Sequence, residues 1–482
     1  MTEISRIRRN SIFSLLSISS RLVANVIVFW FIARYYGPEV FGQFTLAHTI
    51  STLFILFADF GFDILLTTEV AREKNLANKF FRQFFSLKIV FTSAALIVMW
   101  VLALINNFSP ASRNLILVFS FYTVFTTLTN FLFALYKGFE NLEYETKVSL
   151  LINLSLLLTI VLLILLKADI IFIGLAFVVT RFFGFIVGIY YSRKVLPEIS
   201  YKLLFDGISE IKGKVLVFGF HLFFSYLFFQ IDTILLSFWK GDYEVGIYQS
   251  VFKLIMLPLV IPDIFINTLM PVLARLHSEN IEKWKKVGYM MNKLLIAVVL
   301  PMSVILYIYS EQIIYLIYGK QNYSSAIPIL KVFAVILFVR FSLETYALML
   351  TTSNRQVIRL RVVIFATILN LILNSFFIPE YGAFGAAIVS LVTNTFVGAA
   401  YILSTKSLFK EWMLNFKTMF FLIVSMIIGY ITSNLISINI FIGAFALLIV
   451  FILISYNFFF SKEERDLIFT RDFKLSFFNK NL

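Results

Sequence analysis

The sequence predicts an all-α integral membrane protein: fourteen transmembrane helices arranged as two six-helix lobes, with two further helices at the C-terminal end. Three observations predict it. The 482 residues are 60% hydrophobic and 14% charged, with a mean hydropathy of +0.90, whereas a soluble chain carries roughly 25% charged residues. Lys and Arg alternate in density from one connection to the next, and stretches of the first half recur in the second.

Apolar runs long enough to cross a bilayer begin near Ser11, Phe41, Phe84, Leu115, Val148, Ile170, Val215, Val245, Gly288, Ala326, Val357, Gly382, Phe416 and Asn439. Fourteen spans of about 20 residues use roughly 280 residues, which leaves no room for a large soluble domain and argues against a water-soluble enzyme. Arg6, Arg8 and Arg9 precede an apolar stretch reaching Ala33 without a small-residue cleavage site, so the first span is expected to be retained.

Charge tests the count independently, because cytoplasmic connections collect Lys and Arg. Of 41 such residues, thirty fall in the N-terminal tail, the even-numbered connections and the C-terminal tail, including Arg72, Lys74, Lys79, Arg82, Arg193, Lys194, Arg275 and Lys283. Five (Arg34, Arg113, Lys167, Lys240, Lys320) fall in odd-numbered connections, and Arg21, Arg181, Lys253, Lys293, Lys331 and Arg340 lie within or at the edges of spans. Both termini are therefore expected on the cytoplasmic side. The net charge of +14 reads as the same topological bias and not as a nucleic-acid surface. The outward connections are short, the longest running from about Glu311 to Ser325.

An internal repeat appears at a shift near 204 residues. Gly37-Pro38-Glu39-Val40-Phe41-Gly42-Gln43-Phe44 matches Gly241-Asp242-Tyr243-Glu244-Val245-Gly246-Ile247-Tyr248, and Asp59 falls on Asp263. Leu66 to Arg72 matches Leu269 to Arg275, and Gly174 with Ala176 matches Gly385 with Ala387. Six spans per repeat is an even number, so the copies run in the same direction through the membrane, related by an axis along its normal. Residues 1–195 form the first lobe (spans 1–6), 196–214 a cytoplasmic linker, 215–405 the second lobe (spans 7–12), 406–460 spans 13 and 14, and 461–482 a cytoplasmic tail. Two lobes facing each other across a cleft can open to either side of a membrane, and transport is the natural use.

A charge inside a span is costly, so each is a candidate for function. Ten qualify: Arg21, Asp59, Asp63, Arg181, Asp232, Lys253, Asp263, Lys331, Arg340 and Glu344. Arg21, Arg181, Lys253 and Arg340 are candidate cations for an anionic head group. Asp59, Asp232, Asp263 and Glu344 are candidate coupling or structural charges, Arg340 with Glu344 sharing a helix face at i,i+4 and Asp232 matching the depth of Lys253. Asp63 and Arg72 read as interfacial, and His48 as a packed histidine. Pro258, Pro262 and Pro301 mark bends, and Gly184 with Gly188 a helix-packing face. With no Cys and three scattered His, neither a metal site nor any other cofactor is expected. No HExxH, P-loop or Gly-x-Ser-x-Gly motif is present.

Three stretches together resemble the polysaccharide (O-antigen, Wzx-type) flippases, within the superfamily that includes multidrug and toxin extruders and lipid II flippases. They are Ala33 to Phe44 (ARYYGPEVFGQF) with Asp59-Phe60-Gly61-Phe62-Asp63 and Glu69-Val70-Ala71-Arg72; Gln230 to Leu236 (QIDTILL) with Val245-Gly246-Ile247-Tyr248 and Pro271 to Arg275; and Ile378 to Ala387 (IPEYGAFGAA). The resemblance implies a V-shaped pair of lobes that carries an undecaprenyl-pyrophosphate-linked oligosaccharide, of O-antigen or capsule type, from the cytoplasmic to the outer leaflet of a bacterial inner membrane by alternating access. It implies cations near the pyrophosphate, places that Arg21 and Lys253 can fill. Its partners would be that lipid-linked substrate, the surrounding membrane lipids and, among proteins, a polysaccharide polymerase and chain-length regulator, with no nucleic acid. A multidrug cation antiporter of the same fold is the alternative; Asp59 suits it, Arg21 and Arg181 do not. A membrane polysaccharide polymerase would need a sizeable outward loop, which the sequence lacks.

Overall fold

The computed structural model describes residues 3–206, 226–320, 322–405 and 440–465 apart from 463, together with 223, 424 and 427. Every regular element among the described residues is helical. In chain order they are α1 (Glu3–Asp59), α2 (Phe62–Arg72), α3 (Ala77–Ile105), α4 (Pro110–Gly138), α5 (Leu142–Leu165), α6 (Ile170–Val195) and α7 (Tyr226–Trp239). They continue as α8 (Asp242–Met256), α9 (Val260–Glu279), α10 (Ile281–Ile308), α11 (Ser310–Tyr318), α12 (Ala326–Thr352), α13 (Gln356–Thr405) and α14 (Ile440–Ile454), the last followed by a π turn at Ser455–Phe459. Among the described residues nine helices are long and apolar enough to cross a membrane, and the bent pair α8 and α9 adds a tenth.

Two of these helices each hold two of the predicted spans. Spans 1 and 2 are merged in α1 across Gly37 (φ 80°), and spans 11 and 12 in α13 across Gly382 (φ 56°); only glycine adopts such angles freely, and Pro38 then restarts the helix with a φ already suited to its first turn. Several helices begin earlier than the apolar runs, α5 at Leu142 and α10 at Ile281, because the backbone stays helical through polar turns beyond the hydrocarbon depth. The connection expected from Glu311 to Ser325 contains the nine-residue helix α11. The start of span 7 near Val215, span 13 near Phe416, part of the linker and most of the tail lie outside the described residues.

The chain divides into two compact units, 1–250 with 374–386, and 251–373 with 387–482. In the first, α4 is the central helix and packs against α1, α2, α3 and α6. It carries polar groups into the core, paired between helices: Thr123 Oγ1 meets Ser51 Oγ of α1 at 2.7 Å. Ser17 of α1 donates to Ser149 of α5 at 3.0 Å, and Asn153 to Ser20 at 3.1 Å. Gly184 and Gly188 of α6 form the expected packing face, where a Cβ would meet Ile152 at the first and Leu132 at the second. His48 lies among the rings of Phe29, Phe44, Phe119, Tyr122 and Phe177.

The repeat also has a structural signature in this unit. Gly241 has φ 81°, matching Gly37. A Cβ on Gly42 would collide with the Asp242 carbonyl, and one on Gly246 with the Pro38 carbonyl. The shift of 204 relates Gly42 to Gly246 and Pro38 to Asp242, so the contact is reciprocal, as a local two-fold requires. Around it, Asp242 accepts hydrogen bonds from Ser109 (2.5 Å) and Ser112 (2.7 Å) at the start of α4, and Glu244 accepts one from the Ala383 amide (2.7 Å) just after Gly382.

In the second unit α10 packs against α12 and α9. Trp284 is fully buried and donates to Thr352 at 3.1 Å, and Asn292 donates to the Ser342 carbonyl at 2.7 Å. Lys293 pairs with Glu464 at 2.8 Å between the rings of Tyr289, Phe459 and Phe460, while Ser461 and Glu464 bond each other's backbone amides as a capping box. The residues after α14 are thereby fixed to α10. The bend expected at Pro258 is present: it separates α8 from α9, which turn by 42°.

Gly42→Leu and Gly246→Leu are each expected to destabilise the protein, by about 1–3 kcal/mol or more because backbone must move apart. The check is the thermal midpoint in detergent; an unchanged midpoint in both would mean that the two backbones do not meet there.

Candidate functional site

A break in the chain builds the first part of the site. The helix stops at Asp59, Phe60 (φ 42°) and Gly61 (φ 87°) turn left-handed, and α2 restarts at Phe62. The break leaves the first amides of α2 without helical partners, and Asp59 Oδ1 accepts one of them, Asp63 N–H, at 3.1 Å. Both carboxylates then point at Lys88 of α3, whose Nζ lies 2.7 Å from Asp59 Oδ1 and 2.8 Å from Asp63 Oδ1. The Lys88 side chain is 0% exposed, and Asp59 and Asp63 are 13% and 21% exposed. The ammonium also lies 5.7 Å from the Phe131 ring centroid.

Sequence reasoning missed Lys88. It counts this lysine with the cytoplasmic charges and Asp63 with the interface, because apolar runs alone do not show where a helix buries a charge. The readable signal was the Asp59/Asp63 i,i+4 pair, two acids on one helical stretch that need a cation, with Lys88 inside the apolar run that begins near Phe84.

Asp63 also faces a cavity of about 390 Å3 lined by Arg21, Thr67, Asn130, Lys137 and Glu145, among others. Lys137 and Glu145 face each other across the α4–α5 turn at 3.2 Å through Glu145 Oε1, while Glu145 Oε2 is buried with no hydrogen-bond partner among the described residues. Arg21 is exposed and has no ion pair among the described residues. Its electrostatic neighbours are Arg181, Glu145 and Tyr122. Arg181 of α6 stacks over the Tyr122 ring, 5.5 Å from its centroid. Two guanidinium groups therefore act on one another in the first unit, and neither has a carboxylate at salt-bridge distance among the described residues.

The other predicted residues divide between the units. Asp232 of α7, in the first, accepts from Tyr248 Oη and from Asn374 Nδ2, each at 2.7 Å. In the second unit, Arg340 of α12 has Glu344 and Asp263 as electrostatic neighbours. Glu344 in turn feels Arg359 of α13, which donates to Thr351 at 2.6 Å. Lys253 is half-buried in the last turn of α8, and Lys331 lies over the Tyr307 ring at 5.8 Å. Among the described residues no group of His, Cys, Asp and Glu is arranged to hold a metal.

The family model described as "Polysaccharide biosynthesis protein" matches residues 7–277, more than half of the chain. The chain belongs to this family. As a polysaccharide biosynthesis family member it also matches a second model, MatE, over residues 218–376. A protein of Escherichia coli (strain K12) named "Putative O-antigen transporter" is 22% identical over 251 residues, 51% of this chain and 59% of that one, so the match spans less than two thirds of the relative. Among solved structures, the lipid II flippase MurJ in an inward closed conformation superposes with a TM-score of 0.72 at 17% identity, covering 95% of this chain and 99% of that one. An inward-facing multidrug resistance MATE family transporter gives 0.66 at 15% identity, covering 83% and 99%. These likenesses fix the fold: an all-helical, multi-pass membrane protein whose relatives are transporters and flippases, not enzymes.

Replacing Lys88 by Ala strands two carboxylates in the interior and is expected to cost roughly 3–5 kcal/mol. Lys88→Ala combined with Asp59→Asn should lose less than the two single changes together, a coupling that a double-mutant cycle on thermal midpoints measures. Additive losses would mean that the ion pair does not form.

Proposed function

We propose that this protein is a flippase for a lipid-linked oligosaccharide, carrying an undecaprenyl-pyrophosphate-linked repeat unit of O-antigen or capsule type from the cytoplasmic to the outer leaflet of the bacterial inner membrane. The observation that carries the reading is the Arg21/Arg181 pair. The two guanidinium groups repel one another, a cost that a bound anion relieves, and a guanidinium fork suits pyrophosphate oxygens. The membership of the polysaccharide biosynthesis family supports the sugar. A multi-sugar head crossing hydrocarbon would leave many hydroxyls without partners at several kcal/mol each. Thr67, Thr68 and Asn130 beside Arg21 offer such partners.

Alternating access between two six-helix lobes, with both termini cytoplasmic, is the mechanism this reading requires. Lys253 is kept as a further head-group cation, whereas Arg340, beside Asp263 and Glu344, is assigned to holding α12 and α9. A multidrug cation antiporter of the same fold is disfavoured because a cationic drug would meet Arg21 and Arg181.

Arg21→Ala and Arg181→Ala are each expected to lower surface polysaccharide about tenfold or more, since a charged hydrogen bond is worth about 1.5–3 kcal/mol, while lipid-linked repeat units accumulate on the cytoplasmic side and membrane insertion is unchanged. Normal display in both variants would overturn the assignment.

A further inference from the structure

We propose that Asp63 is a proton-exchange site linked to the anion site beside it, so that the head-group anion and one proton bind together. The inference deepens the flippase reading and rests on it.

The first step is a charge count. Asp59, Asp63 and Lys88 form one group of two carboxylates and one ammonium, the ammonium fully buried and the carboxylates mostly so. Fully ionised, it carries one uncompensated negative charge; with one proton it is neutral, and neutrality is what a low-dielectric interior favours. The two carboxyl groups converge on one ammonium, their Oδ1 atoms 2.7 and 2.8 Å from Lys88 Nζ, and two carboxylates crowded onto one site favour holding a proton on one of them.

Geometry says which carboxyl exchanges it. Asp59 Oδ1 already accepts from Lys88 Nζ and from the Asp63 amide, two donors that hold it ionised. The Asp63 carboxyl accepts from Lys88 alone among these, and Asp63 lines the cavity. A proton therefore passes between cavity water and the Asp63 carboxyl, with no other bond made or broken.

The same cavity supplies the linkage. The charged groups facing Asp63 are Asp59 of α1 and Lys88 of α3 within the group, and across the cavity Arg21 of α1, Lys137 of α4 and Glu145 of α5. With Asp63 ionised, the four charged side chains lining the cavity balance; with Asp63 protonated, one positive charge is left over. An anion arriving at Arg21 binds the protonated form better, and by reciprocity its binding draws a proton onto Asp63. Affinity accordingly falls as pH rises, by at most about tenfold per pH unit for one linked proton. The buried oxygen Glu145 Oε2, without a partner in the same wall, marks a further place for a donor from the bound molecule.

The test uses the full chain in lipid nanodiscs with farnesyl pyrophosphate as the probe. Calorimetry in two buffers of different ionisation enthalpy counts the protons taken up on binding. The wild type is expected to take up as much as one proton more than Asp63→Asn, and the variant's affinity should keep only the pH dependence of the pyrophosphate itself. Infrared titration without ligand should show a protonated-carboxyl band that Asp63→Asn deletes. Equal proton counts in wild type and Asp63→Asn, or the absence of that band, overturn the proton site while the anion site stands. If Arg21→Gln does not weaken farnesyl pyrophosphate binding, the flippase reading fails instead, and the linkage fails with it.

Discussion

A lysine ammonium held between two aspartates at a break in a helix is the constraint on which the first unit depends. Neither Lys88 nor the acids can be buried alone, since an ion without a partner in a membrane interior costs several kcal/mol. The break at Phe60 and Gly61 brings the two carboxyl groups to face one point and leaves an amide for Asp59 to cap. α3 must then lie where Lys88 reaches them. The position of α2, and hence of the cavity wall that Asp63 contributes, follows from that one cluster of charges.

The glycines act on the same scale by a different means. Around Gly42 and Gly246 no charge is involved; the backbones approach because neither residue has a Cβ. In lipid, where burying apolar side chains gains little, such close contacts and the hydrogen bonds beside them carry much of the packing. Asp242 and Glu244 add those bonds, pinning the start of α4 and the turn after Gly382. The repeat is thus expressed as a physical contact between its two copies.

The intramembrane cations separate by the company they keep. Lys88 and Lys293 are matched to carboxylates and tie helices together. Arg340 has two acidic neighbours. Arg21 and Arg181 have each other, a tyrosine ring and, for Arg21, Glu145 as a neighbour that is itself paired with Lys137. The last arrangement leaves positive charge that a substrate anion can neutralise, which is why one is assigned there.

Composition and periodicity by themselves determined that the chain is an all-helical membrane protein, where its apolar runs lie, and that its halves repeat, because hydrophobic length and glycine spacing are local properties. They also marked Arg21, Arg181, Asp59 and the bend at Pro258. What they did not contain was pairing. Lys88 looked like one more cytoplasmic charge and Asp63 like an interfacial acid, since a separation of 25 positions along the chain says nothing of the packing of α3 against the break. That the matched Gly42 and Gly246 touch, that Asp232 meets Tyr248 and Asn374, and that Glu464 returns to Lys293 were decided by the tertiary structure alone. A charge in a low-dielectric interior is defined by its neighbours, and neighbours from distant parts of a chain are set by how helices pack.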